Sequence, residues 1–182
     1  MQRRQFLSGL GALGLSGLVG AQEAPLRGPD VIFVPTPNEV VDMMLKLAGV
    51  TKKDTVYDLG CGDGRIVVAA AQKYGARGVG VDIDPQRVAE ANENVKKGGV
   101  SKLVRIVQGD LFETDISEAT VVTLYLLTSL NQKLRPKLLK DLRPGTRVVS
   151  HAFSMGDEWK PERQESVQGT TVYLWRVPPR KA

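Results

Sequence analysis

Cysteine and histidine are almost absent from this sequence, with one of each among 182 residues. Because a disulfide needs two thiols and a metal site needs several clustered ligands, we expect neither a disulfide framework nor a metal centre. Aromatic residues make up only 5% of the chain. Since no cluster of lysine and arginine with interleaved aromatic residues occurs, we predict no nucleic-acid partner.

Long uncharged apolar segments are also missing. No apolar run reaches the roughly 20 residues that a membrane-spanning helix needs, so we expect no stable membrane span. The composition is otherwise ordinary for a globular protein, with 42% hydrophobic residues, 25% charged residues and a net charge of +5. A chain of this length can bury one sizeable core, and we therefore predict one folded domain.

The first 21 residues differ in composition from the rest. Arg3 and Arg4 precede an uncharged run of sixteen residues that ends at Ala21 and includes five glycines. Paired arginines before such a run are typical of a twin-arginine export signal, so we predict a signal peptide at 1–21 and a periplasmic location. The alternative is an uncleaved N-terminal anchor that holds the protein at the cytoplasmic face of the membrane.

Strand and helix patterns alternate after a proline-containing lead-in at 22–36, and we assign 37–182 to the folded domain. Apolar runs predict strands at 55–59, 78–81, 103–107, 120–126 and 146–151. Periodicity and capping residues predict helices at 37–49, 65–74, 84–98 and 129–142, with a kink or restart at Pro136 and a terminal hairpin around Gly169. This alternation favours an α/β fold, in which helices cover both faces of a parallel sheet and a ligand binds at the carboxyl ends of the strands.

The segment at 56–66, VYDLGCGDGRI, joins the first predicted strand to a helix through alternating glycines. A dinucleotide-binding motif would place its third glycine at position 65, where Arg65 stands. The carboxylates of Asp58 and Asp63 would also repel the pyrophosphate of a dinucleotide. The pattern therefore excludes the commonest ligand of a strand–glycine turn–helix unit.

The same residues suit a ligand that carries a cationic amine. Gly60 and Gly62 allow a tight turn and a close approach of the ligand to the backbone, which a Cβ would block. Asp58 and Asp63 can accept hydrogen bonds from an ammonium group. A ligand with an α-amino group and no phosphate fits this turn, as in the methionine half of S-adenosylmethionine.

Two further carboxylates follow later strands. Asp82 ends the second predicted strand in GVGVDIDP, where a carboxylate can accept hydrogen bonds from both hydroxyls of a ribose. Asp110 follows the third strand in IVQGDLF, where a carboxylate can accept a hydrogen bond from the adenine amino group. Together with the glycine turn, these positions predict S-adenosylmethionine as the cofactor.

The segments VYDLGCGDG, GVDIDP and VQGDLF resemble the motifs of class I, seven-strand S-adenosylmethionine-dependent methyltransferases. The resemblance covers about residues 31–177. It implies a Rossmann-like doubly wound sheet of order 3-2-1-4-5-7-6 with strand 7 antiparallel. It also implies that the cofactor is bound by residues of these segments, namely Asp58, Gly60, Cys61, Gly62, Asp63, Gly64, Asp82, Ile83, Asp110 and Leu111.

A narrower resemblance involves FVPTP, DLGCGDGRIVVAAA and GARGVGVDIDP, which look like the small protein-lysine methyltransferases of the ATP synthase c-subunit type and their bacterial relatives. This resemblance implies a protein substrate with an accessible lysine. The chain has TLYLLTSLN where an NPPY-type tetrapeptide would stand after the fourth strand, which disfavours methylation of amides or of adenine amino groups.

Methyl transfer to an amine needs alignment, a lone pair and exclusion of water, so a dedicated base is not obligatory. Candidates near the site are Thr36 for substrate contact and Tyr125, Asn131 and His151 for catalysis. Tyr125 could stabilise the acceptor nitrogen and His151 could accept a proton, while a structural role in the core is the alternative for both. Cys61 lies between glycines and is expected to pack rather than react.

Three functions remain open at this level. They are a protein-lysine methyltransferase, a methyltransferase for a small-molecule or lipid-linked acceptor, and a module that binds the cofactor without catalysis. We expect no inserted lid or appended substrate domain, which predicts an open site and mildly favours a protein substrate. The cofactor is made in the cytoplasm, and one bound molecule carried out with an exported enzyme would serve only one turnover. This supply problem favours either a module that binds the cofactor without catalysis or an N-terminal anchor that keeps the protein at the cytoplasmic face.

Overall fold

The computed structural model describes Gly28 and residues 32–180, so the predicted export signal and most of the lead-in lie outside the described residues. The strands are β1 Thr55–Leu59, β2 Arg77–Asp82, β3 Val104–Gln108, β4 Val121–Leu124, β5 Arg147–His151, β6 Arg163–Val167 and β7 Thr170–Arg176. The helices are α1 Asn38–Leu47, α2 Arg65–Tyr74, α3 Pro85–Lys97 and α4 Thr128–Asp141.

The seven strands form one sheet in the order β3-β2-β1-β4-β5-β7-β6. The first five strands pair in parallel, and β7 runs antiparallel to both β5 and β6. The predicted order and the antiparallel seventh strand are therefore confirmed. Because β4 returns to the other side of β1 after β3, the strand order reverses between β1 and β4, and a crevice opens there at the carboxyl ends of the strands.

Apolar clusters cover both faces of the sheet. On one face, Tyr57 and Leu59 of β1 belong to a buried cluster with Leu134 and Leu138 of α4. On the other face, Val56 of β1 belongs to a cluster formed largely by α1 and α2. Successive side chains of a strand point to opposite faces, so a short apolar strand such as β1 serves both clusters and is buried along its whole length.

Local sequence signals account for most helix ends. Asp84 caps α3 by accepting a hydrogen bond from the backbone nitrogen of Gln86 at 2.8 Å, as the Asp-Pro pair predicts. The restart predicted at Pro136 is wrong, because α4 is one continuous helix that contains this proline. Leu134 and Leu138 on either side of it are fully buried, and this burial holds both halves of the helix on the sheet.

The terminal hairpin around Gly169 is confirmed. Gln168 and Gly169 connect β6 to β7 with positive φ values of 50° and 73°. Two central residues with positive φ are typical of the type I′ turn, whose twist matches that of the flanking strands. Within residues 32–180, no helix is both long and apolar enough to span a bilayer.

Strand β4 is shorter than predicted. The sequence predicts a strand to position 126, but the strand ends at Leu124. Tyr125 and Leu126 leave the sheet and line the crevice beside β1 instead. The apolar run therefore extends beyond the end of the strand, because Tyr125 and Leu126 form part of the cavity wall.

Candidate active site

A cavity of about 320 Å³ lies in the crevice at the carboxyl ends of the parallel strands. Asp58 of β1, Asp82 of β2 and Tyr125 after β4 line it, together with Asp110 from the loop after β3. The topology thus brings together side chains that are far apart in sequence. This meeting place is the one predicted from the reversal of strand order.

The glycine turn between β1 and α2 is held against the end of β2. The backbone nitrogen of Gly60 donates to the carbonyl of Val81, and that of Gly62 donates to the Asp82 carboxylate at 2.8 Å. Gly62 has a φ of 52°, and a Cβ placed there would lie 2.1 Å from the Phe33 ring. The positive φ favours glycine at position 62, and the absence of a Cβ lets the Phe33 ring lie directly on the backbone.

The turn contributes three of its predicted residues to the cavity wall, Gly60, Cys61 and Asp63. Gly62 is covered by Phe33, and a Cβ on Gly64 would meet Ala91 of α3 at 3.1 Å. The structure therefore places Gly62 and Gly64 in packing positions behind the wall. Burial raises the pKa of the Cys61 thiol, which agrees with a packing role for this residue.

Asp58 is the buried carboxylate at the bottom of the site, with 2% of its surface exposed. One of its oxygens accepts a hydrogen bond from the Thr123 hydroxyl at 2.8 Å. Burial raises the pKa of Asp58 to about 7, and the negative charges of Asp82 and Asp63 add to this rise, whereas the Thr123 bond opposes it. A cationic group beside Asp58 would stabilise the ionised carboxylate and lower its pKa.

Asp63 lies at the cavity as predicted, but its carboxylate is engaged within the chain. Arg65 donates to it through Nε at 3.0 Å and through Nη2 at 2.5 Å. Because the charge of Asp63 is already paired with Arg65, Asp58 is the better candidate of the two acids for holding an ammonium group.

The predicted ribose and adenine positions line the same cavity, at the end of β2 and in the loop after β3. Asp82 accepts hydrogen bonds from the nitrogens of Gly62 at 2.8 Å and Asp84 at 3.0 Å, which fixes its carboxylate at the rim of the turn. Asp110 accepts from the nitrogen of Phe112 at 2.8 Å. Ile83 and Leu111 follow these two acids and also line the cavity, as predicted.

Three of the predicted catalytic and substrate residues come together at one side of the cavity. The Tyr125 ring stacks on the His151 ring with centroids 3.9 Å apart. The Thr36 hydroxyl oxygen lies 3.4 Å from Nδ1 of His151. Burial lowers the pKa of His151, so its ring is neutral at neutral pH. Tyr125 and Thr36 line the cavity, and His151 lies directly behind them.

Asn131 is not brought to the cavity, and its predicted catalytic role is not supported. Its side chain is fully buried, and its amide nitrogen donates to the Ser150 hydroxyl at 3.2 Å and to the Phe153 carbonyl at 3.0 Å. Asn131 lies on the face of α4 that packs on the sheet. It therefore anchors the segment that follows β5.

A strap over the site, formed by residues 32–36, was not predicted from the sequence. Phe33 of this strap lies on Gly62, and the guanidinium carbon of Arg87 lies 4.9 Å from the Phe33 ring centre. The strap therefore covers part of the site at the glycine turn, a contact that the prediction of an open site did not include. The signal that could have found the strap is the apolar run VIFV, which precedes two prolines and belongs to no predicted strand.

Metal-binding clusters do not occur in the part of the chain that the structure describes. Within it, no group of three or more His, Cys, Asp or Glu side chains is arranged to hold a metal ion. The carboxylates of the cavity are spread along its wall.

Comparisons with known proteins agree with this site. A family model described as the ANTKMT methyltransferase domain matches residues 58–163. The chain is 50% identical over 154 residues to a protein-lysine N-methyltransferase of Saccharolobus islandicus. The alignment covers 82% of this chain and 95% of that protein. It is 31% identical over 178 residues to an ATP synthase c-subunit lysine N-methyltransferase of Caenorhabditis elegans, covering 92% of this chain and 93% of that protein.

A solved structure is also similar. It is described as an RNA methyltransferase from Salinibacter ruber in complex with S-adenosyl-L-homocysteine. The two chains share 60% sequence identity and superpose with a TM-score of 0.79, over 82% of this chain and 97% of the other. The descriptions of these relatives therefore agree on methyl transfer and differ on the acceptor.

Proposed function

This chain belongs to the ANTKMT methyltransferase family, and from that premise we propose that it transfers the methyl group of S-adenosylmethionine to the side-chain amine of lysine in a protein. The cofactor and the methyltransferase activity follow from the family. The lysine acceptor is supported by the two relatives named as lysine methyltransferases, nearly the whole length of which this chain covers.

The described residues fit S-adenosylmethionine. Asp58 would hold the ammonium group, Asp82 the ribose hydroxyls and Asp110 the adenine amino group, with Ile83 and Leu111 as apolar walls for the base. Phe33 packs directly on the backbone of Gly62. The glycine turn therefore accepts another group in close contact with its backbone. When bound, the cofactor supplies an electrophilic methyl group on a sulfonium ion.

The observation that carries the lysine proposal is the match to two relatives named as lysine methyltransferases, which extends over nearly their whole length. Five aspartates and two arginines line the cavity within the described residues, and one of these arginines, Arg65, is paired with Asp63. Because Asp58, Asp82 and Asp110 are the proposed cofactor ligands, this charge supports a cationic cofactor and does not distinguish between the acceptors.

The lysine must lose a proton before its nitrogen can attack, and the chain offers a place for this step. The Tyr125 hydroxyl can hold the neutral amine, and His151, whose pKa is lowered by burial, supports Tyr125 by ring stacking rather than acting as a strong base. The strap and the apolar cavity wall exclude water, which lowers the cost of neutralising the amine. Formation of the N–C bond and loss of the S–C bond then need only alignment.

RNA is the second candidate acceptor, because a relative of 60% identity is described as an RNA methyltransferase. An RNA base could reach the same cavity through the same mouth. RNA binding depends on cations that neutralise phosphates, and the sequence has no cluster of lysine and arginine with interleaved aromatic residues. We therefore place RNA second and make it an outcome of the test.

The test uses S-adenosylmethionine with an isotopically labelled methyl group and a lysate of the host. We expect the label in material that protease digestion releases and ribonuclease leaves intact. At saturating cofactor, kcat/KM for the acceptor should rise about tenfold per pH unit toward the ordinary lysine pKa of about 10.4, because only the neutral amine has a free lone pair. Ribonuclease-sensitive label would overturn the proposal in favour of RNA, and label in small molecules would favour a free acceptor.

We further propose that residues 1–21 export the protein to the periplasm as a twin-arginine signal. Arg3 and Arg4 head an uncharged segment too short and too rich in glycine to span a membrane stably. Replacing both arginines with lysine keeps the charge but loses the planar guanidinium that a receptor can recognise.

For this double variant, we expect precursor to accumulate in the cytoplasm, as cell fractionation and N-terminal sequencing would detect. If the variant and the wild type fractionate alike and keep the same uncleaved N-terminus, residues 1–21 are an anchor instead. The cavity would then face the compartment in which its cofactor is made.

A further inference from the structure

Arg65 joins the glycine turn to the strap at 32–36. It is the first residue of α2, and its guanidinium donates to both oxygens of Asp63 in the turn. Its remaining Nη1 donates to the backbone carbonyl of Thr36 at 3.0 Å. One planar side chain thus holds two segments that are separated by more than twenty residues and that both line the cavity.

Apart from Thr36, which is 4% exposed and directly precedes the N-cap of α1, the strap has few other attachments among the described residues. Ile32 and Val34 are 90% and 56% exposed, so they contribute little packing. Phe33 rests on Gly62 under Arg87, and the Thr36 hydroxyl reaches His151 only at 3.4 Å. The Arg65 bond to the Thr36 carbonyl is therefore the well-formed hydrogen bond by which the strap is held to the turn.

We propose that Arg65 is a positioning residue that latches the strap at 32–36 shut over the cofactor cavity, through its simultaneous bonds to Asp63 and to the Thr36 carbonyl. Opening the latch lets Phe33 lift from Gly62 and uncovers the wall formed by Cys61 and Asp63. Cofactor and product then exchange faster. This inference rests on the proposed methyltransferase site but not on the identity of the acceptor.

Lysine cannot replace arginine in this role. A lysine ammonium is a point charge that can pair with Asp63, whereas the arginine fork also reaches a second acceptor in a fixed direction. If the latch is the function of Arg65, Arg65→Lys keeps the ion pair and still frees the strap. If Arg65 acts only through its charge, Arg65→Lys restores wild-type behaviour.

The first measurement uses the chain's single cysteine as a reporter in the protein without cofactor. Cys61 lines the cavity and is 5% exposed, so its reaction with an aromatic disulfide reagent reports opening of the site. We expect Arg65→Met and Arg65→Lys to react about tenfold faster than wild type, the size of effect that loss of one charge-assisted hydrogen bond gives. Lys73→Met is the matched control, because it removes an exposed ion pair from the same helix and should leave the rate unchanged.

The second measurement is the dissociation rate of S-adenosylhomocysteine, followed by stopped flow in a double-mutant cycle with Phe33→Ala. If Arg65 acts by holding the strap, Arg65→Met accelerates dissociation about tenfold in the wild type and much less when Phe33 is already truncated. Additive effects, or rescue of both rates by Arg65→Lys, would overturn the proposal. Because no acceptor is present, failure of the lysine proposal would leave these results unaffected.

Discussion

Replacing Asp82 with alanine should weaken S-adenosylmethionine binding about 100-fold, which corresponds to roughly 3 kcal/mol and to the loss of two charge-assisted hydrogen bonds. Besides its proposed bonds to the ribose, Asp82 holds the glycine turn through the nitrogen of Gly62. The variant therefore loses ligand contacts and the preorganised turn together. Isothermal titration calorimetry on the purified protein measures the change directly.

Asp84→Ala is the matched control for this variant. Asp84 also lines the cavity, but its carboxylate is used to cap α3 through Gln86. We expect this control to lose helix stability, about 1 kcal/mol for a capping residue, while the affinity changes only a few-fold. Equal losses of affinity in the two variants would remove the ribose assignment from Asp82.

The affinity for S-adenosylmethionine should fall about tenfold for each pH unit below 7, because Asp58 must be ionised to hold an ammonium group. Burial first, and then the charges of Asp82 and Asp63, raise the pKa of Asp58 to about 7 in the free protein. The cation would lower that pKa in the complex, so binding below pH 7 releases a proton. Calorimetric titrations between pH 5 and pH 8 test the slope.

Two variants separate Asp58 from other titrating groups. Asp58→Asn cannot ionise and should bind weakly with little dependence on pH over this range. Thr123→Val removes the hydroxyl that donates to Asp58, so the pKa of Asp58 should rise and the midpoint should move to higher pH. A wild-type slope that persists in Asp58→Asn would contradict the assignment.

The raised pKa of Asp58 makes the stability of the unliganded protein depend on pH in the opposite direction to cofactor binding. The folded protein keeps on Asp58 a proton that an unfolded chain releases near the ordinary aspartate pKa of 3.8. Between that pH and about 7, the free energy of unfolding of the unliganded protein therefore decreases as the pH rises. Ligand binding removes this cost because it supplies a positive charge beside the carboxylate.

Much of the fold could be predicted because its signals are local. The Asp-Pro pair at 84–85 and the turn at Gly169 specify a cap and a hairpin by their own backbone preferences. The acids at the ends of β1 and β2 could be placed at one site because parallel strands end at the same edge. The sheet order itself came from the family resemblance, since no local signal determines which strands pair.

The remainder depends on contacts between distant segments. Nothing near Asn131 in the sequence reveals that its amide bonds to the segment after β5. The same holds for Arg65, which stands where a dinucleotide motif would have glycine and whose partner Thr36 lies on the strap. Pro136 illustrates the converse, since a local rule for breaking a helix is outweighed by the burial of Leu134 and Leu138.

Transfer of methyl groups to lysine is the central claim, and tandem mass spectrometry of the modified protein tests it most directly. The purified protein would be incubated with lysine-containing acceptor proteins and with S-adenosylmethionine at a concentration that the wild type binds and Asp82→Ala, the control, does not. We predict mass increments of one, two or three methyl groups that fragment ions locate on lysine side chains and that the control lacks. Increments on nucleotides of added RNA, with none on lysine, would contradict the claim.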